Sequence, residues 1–371
     1  MRLWILRLHR WSTFVLGGLF LLVCVTGSVL VFGDELDRLW TPRLFQTTPG
    51  DVGPDRAIAS IRAAVPDRTV SWLWFPRPER PVYIGQFAGA SRQYVHVDPG
   101  TGRVLGARGE PVINVIRQLH VNFWSGLRGA RLVGLVGLAF LIMIASGVYL
   151  WWPGIRRMAL GFRLRRQGGP VLVNYDLHNL MGIVVTPLLV LITLTGVAII
   201  FVATTRVVLH AVWMSSPSPI TRIERATIPP PDSGSAMLPL TELVARAQDT
   251  IPGHDLMAVV FPARENAALQ VRMSYPNVRF RDGLSRVVLD PYTGEVLGTL
   301  DLRTMPPPDR FRRRWLISLH AGEYGGVAMR AVYLVVGLVP VALAGTGLAV
   351  WWLRRKGRLA LAEKRAAARA A

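Results

Sequence analysis

A single cysteine, Cys24, occurs in 371 residues, which excludes an internal disulfide and any cysteine-ligated cluster. No glycine-rich phosphate loop, His-Glu-x-x-His segment or Ser-His-Asp arrangement is apparent, so neither nucleotide-dependent nor hydrolytic chemistry finds support. Charge is missing more locally. The stretches Trp11 to Gly33, Leu132 to Ile155, Leu177 to Thr205 and Ala331 to Leu353 contain no Asp, Glu, Lys or Arg. Each exceeds the roughly 20 residues that carry a helix across the hydrocarbon core. With 51% of the chain apolar, an integral membrane protein with four spans is expected.

Basic residues are distributed unevenly around these spans. The N-terminal segment, the 154–176 loop and the tail after Leu353 hold 15 Lys and Arg against two acidic residues, Asp176 and Glu363. Basic residues near spans stay cytoplasmic, so both termini and the central loop are expected there. The two long connections carry 28 basic and 21 acidic residues and are expected to face outward. The net charge of +20 is thereby explained by topology, and nucleic acid is not an expected partner. The 23 uncharged residues of the first span exceed the apolar core of a secretory signal, so it is expected to remain as an anchor. Leu21-Leu22-Val23-Cys24 resembles a lipoprotein cleavage box but places bulky Val23 where a small residue is needed. Cys24 is expected simply to pack within the first helix.

What is present is a repeat that extends to spacing. His9 precedes Thr26-Gly27 by 17 residues, and His178 precedes Thr195-Gly196 by the same 17. His120 precedes Ser146-Gly147 by 26 residues and Trp151 by 31; His320 precedes Thr346-Gly347 by 26 and Trp351 by 31. The connections repeat as well. Val65-Pro66 closes a helix-like stretch, with Phe75-Pro76 nine residues on; Ile251-Pro252 closes another, with Phe261-Pro262 again nine residues on. Later come Tyr94-Val-His-Val-Asp-Pro-Gly-Thr-Gly-Arg-Val-Leu-Gly106 and Arg286-Val-Val-Leu-Asp-Pro-Tyr-Thr-Gly-Glu-Val-Leu-Gly298. Asp-Pro-x-Thr-Gly between β-branched runs is a hairpin signal. Each connection thus reads as one helix on a small antiparallel sheet.

This pattern resembles the PepSY domain, and its placement between paired spans is similar to the PepSY-associated transmembrane family of bacterial inner-membrane proteins. The resemblance covers Leu6 to Trp352. It implies a membrane α-helical fold, a four-helix transmembrane bundle with two periplasmic α+β PepSY-like domains arising by internal duplication. The expected layout is N-terminus and first span 1–40, first periplasmic domain 41–112, interfacial segment and second span 113–153, cytoplasmic loop 154–176, third span 177–212, second periplasmic domain 213–308, interfacial segment and fourth span 309–353, and basic tail 354–371. Among relatives, iron-regulated membrane proteins and haem-containing ferric-siderophore reductases are the most similar. Some members add a flavin or nicotinamide reductase module; the loop and tail here are too short for one.

Two facing histidines on separate helices can supply both axial ligands of haem b. The expected sites pair His9 with His178 at the cytoplasmic side and His120 with His320 at the outer side, giving two haems. Without a Cys-x-x-Cys-His segment attachment is noncovalent. Glycine breaks after His120 and His320 allow short interfacial helices to fold over the bundle mouth. His210, placed about 48 Å beyond His178 on a continuous helix, could replace an outer ligand, line a docking site or be an exposed helix end. The small pairs either let helices approach closely or clear space for a porphyrin, and Pro187 and Pro340 could kink their helices. Arg128, Arg131, Arg206, Arg330 and the run Arg310, Arg312, Arg313 and Arg314 could pair with haem propionates, anionic lipid or an anionic ferric chelate. His96 and His254 are assigned to the surface.

The leading expectation is electron transfer through haem from a quinol or a separate reductase to a ferric siderophore or other ferric chelate, with membrane lipid as the surrounding partner. A non-catalytic PepSY protein that binds or regulates peptides or proteases is the alternative. Transport of iron is disfavoured because the charge-free spans lack internal carboxylates.

Overall fold

The computed structural model describes residues 1–89, 92–216, 228, 236–264, 266–274 and 285–370. Its first elements are α1 (Arg2–Leu30), α2 (Gly33–Trp40), α3 (Gly53–Ala64), β1 (Val70–Trp74), β2 (Tyr83–Phe87), β3 (Gln93–Val97), β4 (Val104–Arg108), α4 (Val112–Asn122) and α5 (Gly126–Trp151). Then follow α6 (Gly169–Ile200), α7 (Val202–Val212), α8 (Leu240–Thr250), β5 (Asp255–Val260), β6 (Leu269–Ser274), β7 (Ser285–Leu289), β8 (Val296–Leu300), α9 (Pro307–Ala321) and α10 (Gly326–Ala370). They divide into a helical unit, Met1–Val31, Ile116–Val202 and Leu319–Ala371, and a sheet unit, Phe32–Val115 and Ala203–Ser318.

In the helical unit α1, α5, α6 and α10 are long and apolar enough to cross a membrane. Helices α1 and α6 each pack against both α5 and α10, around a core of Phe20, Val136, Phe140, Val185, Leu189 and Val336. Cys24 packs against this core. The helices α6 and α10 run on through Pro187 and Pro340. Helix α6 begins well before the charge-free stretch and carries Asp176 inside it, where Arg165 Nη2 donates to Asp176 Oδ1 at 2.6 Å. One carboxylate therefore does lie in a span-forming helix, neutralised by a neighbouring guanidinium.

The sheet unit corrects the expectation of two separate small domains. Its eight strands form one antiparallel sheet in the order β4-β3-β2-β1-β5-β6-β7-β8, joined by pairing of β1 with β5. Alternation sets its two faces. Leu73, Gly85, Val95, Val259, Val271 and Val287 are level across the strands, and the apolar ones share a single core with Ile58 and Ile61 of α3 and Leu243 and Ala247 of α8. Neither half could bury this face as well alone, which accounts physically for the merger. Of the stretch expected as the second outward domain, residues 217–227, 229–235, 265 and 275–284 lie outside the described residues.

The expected hairpin turns form. Gly102 N donates to Asp98 O and Gly294 N to Asp290 O, each at 2.9 Å. Burial opposes charge on Asp98, but the hydroxyls of Thr101 and Thr48 and the N–H groups of Thr48 and Gly100 overcome it and hold the carboxyl at about 2. The assignment of His96 and His254 to the surface is overturned, since they are 0% and 6% exposed. His96 sits on β3 beside Phe45 and Arg108, and His254 is hydrogen-bonded to Ser285.

Candidate functional site: four histidines in two pairs

Each Ser/Thr-Gly pair in the spans makes a seat for one imidazole. A helical Ser or Thr turns its hydroxyl back onto a carbonyl of the preceding turn, as Thr26 Oγ1 does to Leu22 O at 2.6 Å. Its lone pairs and that turn's carbonyl then face sideways, while the following glycine leaves the space that a side chain would fill. His120 Nδ1 lies 2.9 Å from Val23 O and 3.2 Å from Thr26 Oγ1. His320 Nδ1 lies 2.8 Å from Ile192 O and 3.4 Å from Thr195 Oγ1. His178 Nδ1 lies 3.0 Å from Leu343 O and 3.2 Å from Thr346 Oγ1. His9 Nδ1 lies 2.9 Å from Ser146 Oγ, and the ring also bonds to the backbone of Met143. In all four seats the carbonyl belongs to the residue three before the hydroxyl residue.

The glycines decide between the two expectations for the small pairs, in favour of a third. A Cβ on Gly27 would lie 2.7 Å from His120 Cε1, and one on Gly196 2.8 Å from His320 Cε1. At Gly147 and Gly347 the corresponding distances to His9 and His178 are 3.3 and 3.4 Å. The space cleared is for a histidine ring.

A carbonyl only accepts hydrogen bonds, so Nδ1 carries the hydrogen and Nε2 of the neutral ring carries the lone pair. Among the described residues nothing bonds to Nε2 of any of the four. Such an outer contact fixes tautomer and orientation in metal-ligating histidines.

The rings meet in twos. His9 and His178 have centroids 6.3 Å apart with planes at 85°; His120 and His320 are 6.1 Å apart at 42°. Two imidazoles bound on opposite sides of one metal at about 2 Å per nitrogen, with each ring centre about 1.2 Å further out, have centroids about 6.4 Å apart. No group of three or more His, Cys, Asp or Glu suited to a metal ion occurs among the described residues. A bare ion at either pair would lack ligands. A metal that brings most of its own ligands, as haem iron does, would ask only two histidine nitrogens of the chain.

Helix geometry sets the distance between the pairs. From His9 to Gly27, and from His178 to Gly196, is 18 residues, which is five turns at 3.6 residues each, about 27 Å, and returns to the same helix face. Thus α1 and α6 each carry a paired histidine at one end and a seat at the other. Between the pairs Phe20 packs on Phe140, centroids 5.1 Å apart. The second pair depends on chain breaks: Phe123, Trp124 and Gly126 adopt φ of 46°, 55° and 56° after α4, and Gly322 and Gly326 φ of 72° and 63° after α9. These reversals return the chain to α5 and α10 and place His120 and His320 on α1 and α6.

The other expected site residues do not join the pairs. His210 lies on α7, beyond a break at Phe201. It is 2% exposed, with Nδ1 3.0 Å from Ser215 Oγ and Nε2 3.2 Å from Asp309 Oδ2. Both nitrogens being engaged, it presents no lone pair to a metal and is not an exposed helix end. Arg206 Nε donates to Asp309 Oδ1 at 3.2 Å, and Arg312 Nε is 3.9 Å from the same oxygen. Arg310, Arg313 and Arg314 lie on the same helix, α9, with Arg314 over Trp315. Arg128 and Arg131 are exposed on α5. Arg330 is buried and donates to Val31 O at 2.9 Å, capping the end of α1. The carbonyl–hydroxyl seats and the Ser215–His210–Asp309 line escaped sequence reasoning. The recurrent Ser/Thr-Gly pairs were the available signal for the seats; Asp309, 99 residues from His210, leaves no local mark.

Four apolar helices carrying paired histidines define a multi-pass membrane protein. The chain belongs to the family of the PepSY-associated TM region, whose pattern matches residues 6–354. It is also similar to an uncharacterized protein of Pseudomonas aeruginosa, at 35% identity over 89 residues, 23% of this chain and 21% of that relative. The match thus spans about a fifth of the relative's length.

Proposed function

We propose that this is a haem-b protein of the bacterial inner membrane that carries electrons outward to a ferric chelate. The observation that carries the reading is the set of four histidines, each held through Nδ1 and each with Nε2 unbonded, in two pairs spaced for a shared metal. The matched seats agree with an origin by internal duplication. The basic N-terminal segment, central loop and tail favour cytoplasmic termini and a periplasmic sheet unit.

When bound, haem supplies reversible one-electron chemistry. The chain's residues hold the imidazoles in one tautomer and exclude bulk water with the Phe20–Phe140 core. A quinol donor gives two electrons, enough for two ferric ions, and releases its two protons to water; a separate reductase is the other donor class. Ferrous iron binds hard oxygen donors less tightly, so reduction frees it. The peptide-binding alternative leaves four unbonded ring nitrogens without a use.

The test is an optical spectrum of purified protein, oxidised and dithionite-reduced, with haem measured per chain. Two equivalents are expected, falling to one in His9→Ala and in His320→Ala and to none in the double variant. Protein without a Soret band that takes up no haem would overturn the reading.

A further inference from the structure

The chain reversal that follows His320 is gripped by one side chain of the span it leads into. Tyr333 of α10 is 2% exposed, and its hydroxyl donates to Leu319 O, the carbonyl just before His320, at 2.5 Å. Its ring covers Gly322, two residues after His320, where a Cβ would lie 2.7 Å from Tyr333 Cγ. Gly322 has φ of 72°, so conformation and space both ask for glycine there. Contacts of a single residue thus flank His320 on both sides in the chain. All of these residues belong to the helical unit.

The first half closes its reversal differently. Counting from His120 and His320, Leu319 corresponds to Leu119 and Tyr333 to Val133. Leu119 O accepts the backbone N–H of Phe123 at 3.2 Å, and Gly129 N donates to Ser125 O at 3.3 Å. Gly129 also brings its backbone close to Asn122, since a Cβ there would lie 1.8 Å from Asn122 O; its counterpart is Met329. The last carbonyls of a helix need donors from outside it. Beside His120 backbone amides supply one, and beside His320 a phenol on the next helix does. The Tyr333 hydroxyl also stands 3.5 Å from that of Tyr324, which is 42% exposed, so the grip on His320 runs out to the protein surface.

From this we infer that Tyr333 is the positioning residue of the outer histidine pair, and that it acts on His320 alone. By fixing the backbone on both sides of His320 it sets Nδ1 at 2.8 Å from Ile192 O and 3.4 Å from Thr195 Oγ1. A hydrogen bond weakens steeply as distance and angle depart from these values, so a shift of the 319–322 backbone passes directly to the ring. His120 has Val133 where His320 has Tyr333, and its seating does not depend on a phenol. That the positioned ring serves haem iron rests on the function proposed above; the seating itself does not. With a metal bound, the contact at Nδ1 tunes the ligand, and Tyr333 then adjusts one ligand of one site.

The experiment compares the full chain with Tyr333→Phe, which keeps the ring on Gly322 and removes only the hydroxyl. In haem-free protein in detergent, with isotope-labelled histidine, NMR reads the exchange of each Nδ1 hydrogen with water. That of His320, assigned by its absence in His320→Ala, is expected to exchange roughly tenfold faster in the variant, while those of His9, His120 and His178 keep their rates. In haem-loaded protein the reduction midpoint and the EPR signal of one haem should shift and those of the other stay. Unchanged exchange at His320, or an equal rise at all four histidines, would overturn the inference. Faster exchange at His320 with both haem signals unmoved would make Tyr333 a purely structural contact and overturn it as well. Protein that takes up no haem sinks the proposed function, and the NMR result then decides this inference by itself.

Discussion

The two units use histidine in opposite ways. In the helical unit His9, His120, His178 and His320 engage the protein through Nδ1 and keep Nε2 unbonded. In the sheet unit Nε2 is engaged in every case, with or without Nδ1: His96 with Arg108 Nη2 at 3.4 Å, His210 with Asp309, and His254 with Ser285 Oγ at 3.2 Å. Burial alone does not separate the groups, because the sheet histidines are the more buried. The atom left over does. Metal-ligating histidines characteristically hold one ring nitrogen on the protein and leave the other for the metal, an arrangement that the four histidines of the helical unit share, with Nε2 left over, and the three of the sheet unit do not.

The largest effect should come from exchanging the classes. His178→Ala is expected to cost one haem per chain, while His210→Ala leaves haem content unchanged, as read by pyridine haemochrome assay. Haem lost in His210→Ala at retained folding would break the comparison.

Next come the seats. Gly27→Ala places a methyl 2.7 Å from His120 Cε1, closer than van der Waals contact allows, whereas Gly347→Ala meets His178 at 3.4 Å. Haem affinity at the Gly27 seat should fall at least tenfold and at the Gly347 seat no more than a few-fold, measured by haem transfer to an apo-acceptor.

His96 gives a prediction for the sheet unit. Burial, then the charges of Arg108 and Arg80, push its pKa down to about 3; Asp37, which Arg108 holds through both Nη atoms, is the nearby countercharge. Because the folded pKa lies below that of the unfolded chain, the stability associated with neutral His96 is complete above about pH 6.5 and is lost as pH falls from there toward 3. The loss by pH 4 is on the order of a few kcal/mol. His96→Val, the residue its counterpart has at Val288, should flatten urea midpoints between pH 7 and 4; an unchanged slope would refute the assignment.

The smallest effect concerns the hydroxyls. Thr26→Val leaves Val23 O as acceptor for His120, so haem should remain while binding weakens by about tenfold, the lower end for an outer-shell contact. The reduction midpoint of that site alone should move in a redox titration.

Much of the helical unit was legible because lipid makes its demands in composition. Uncharged stretches marked the four helices, and the equal intervals from His9 and His178 pointed to paired sites. The seats were less so, since Thr26-Gly27 has a simpler meaning in a helix until a ring is seen against it. The joined sheet was hidden because strand pairing between β1 and β5 leaves no local mark, both strands being apolar either way. His96 was misplaced for a related reason. Its neighbours Val95 and Val97 imply that His96 points to the other face of β3, but nothing nearby says that Phe45 and Arg108 cover that face.

The five-turn interval in α1 and α6 makes the length of these helices a quantised property. One inserted residue between His9 and Gly27 would swing the two ends about 100° out of alignment, turning either His9 or the seat away from the bundle. Seven added residues, close to two whole turns, would nearly restore the facing. The protein can therefore be adapted to a thicker bilayer only in large steps, and only if α1 and α6 change together.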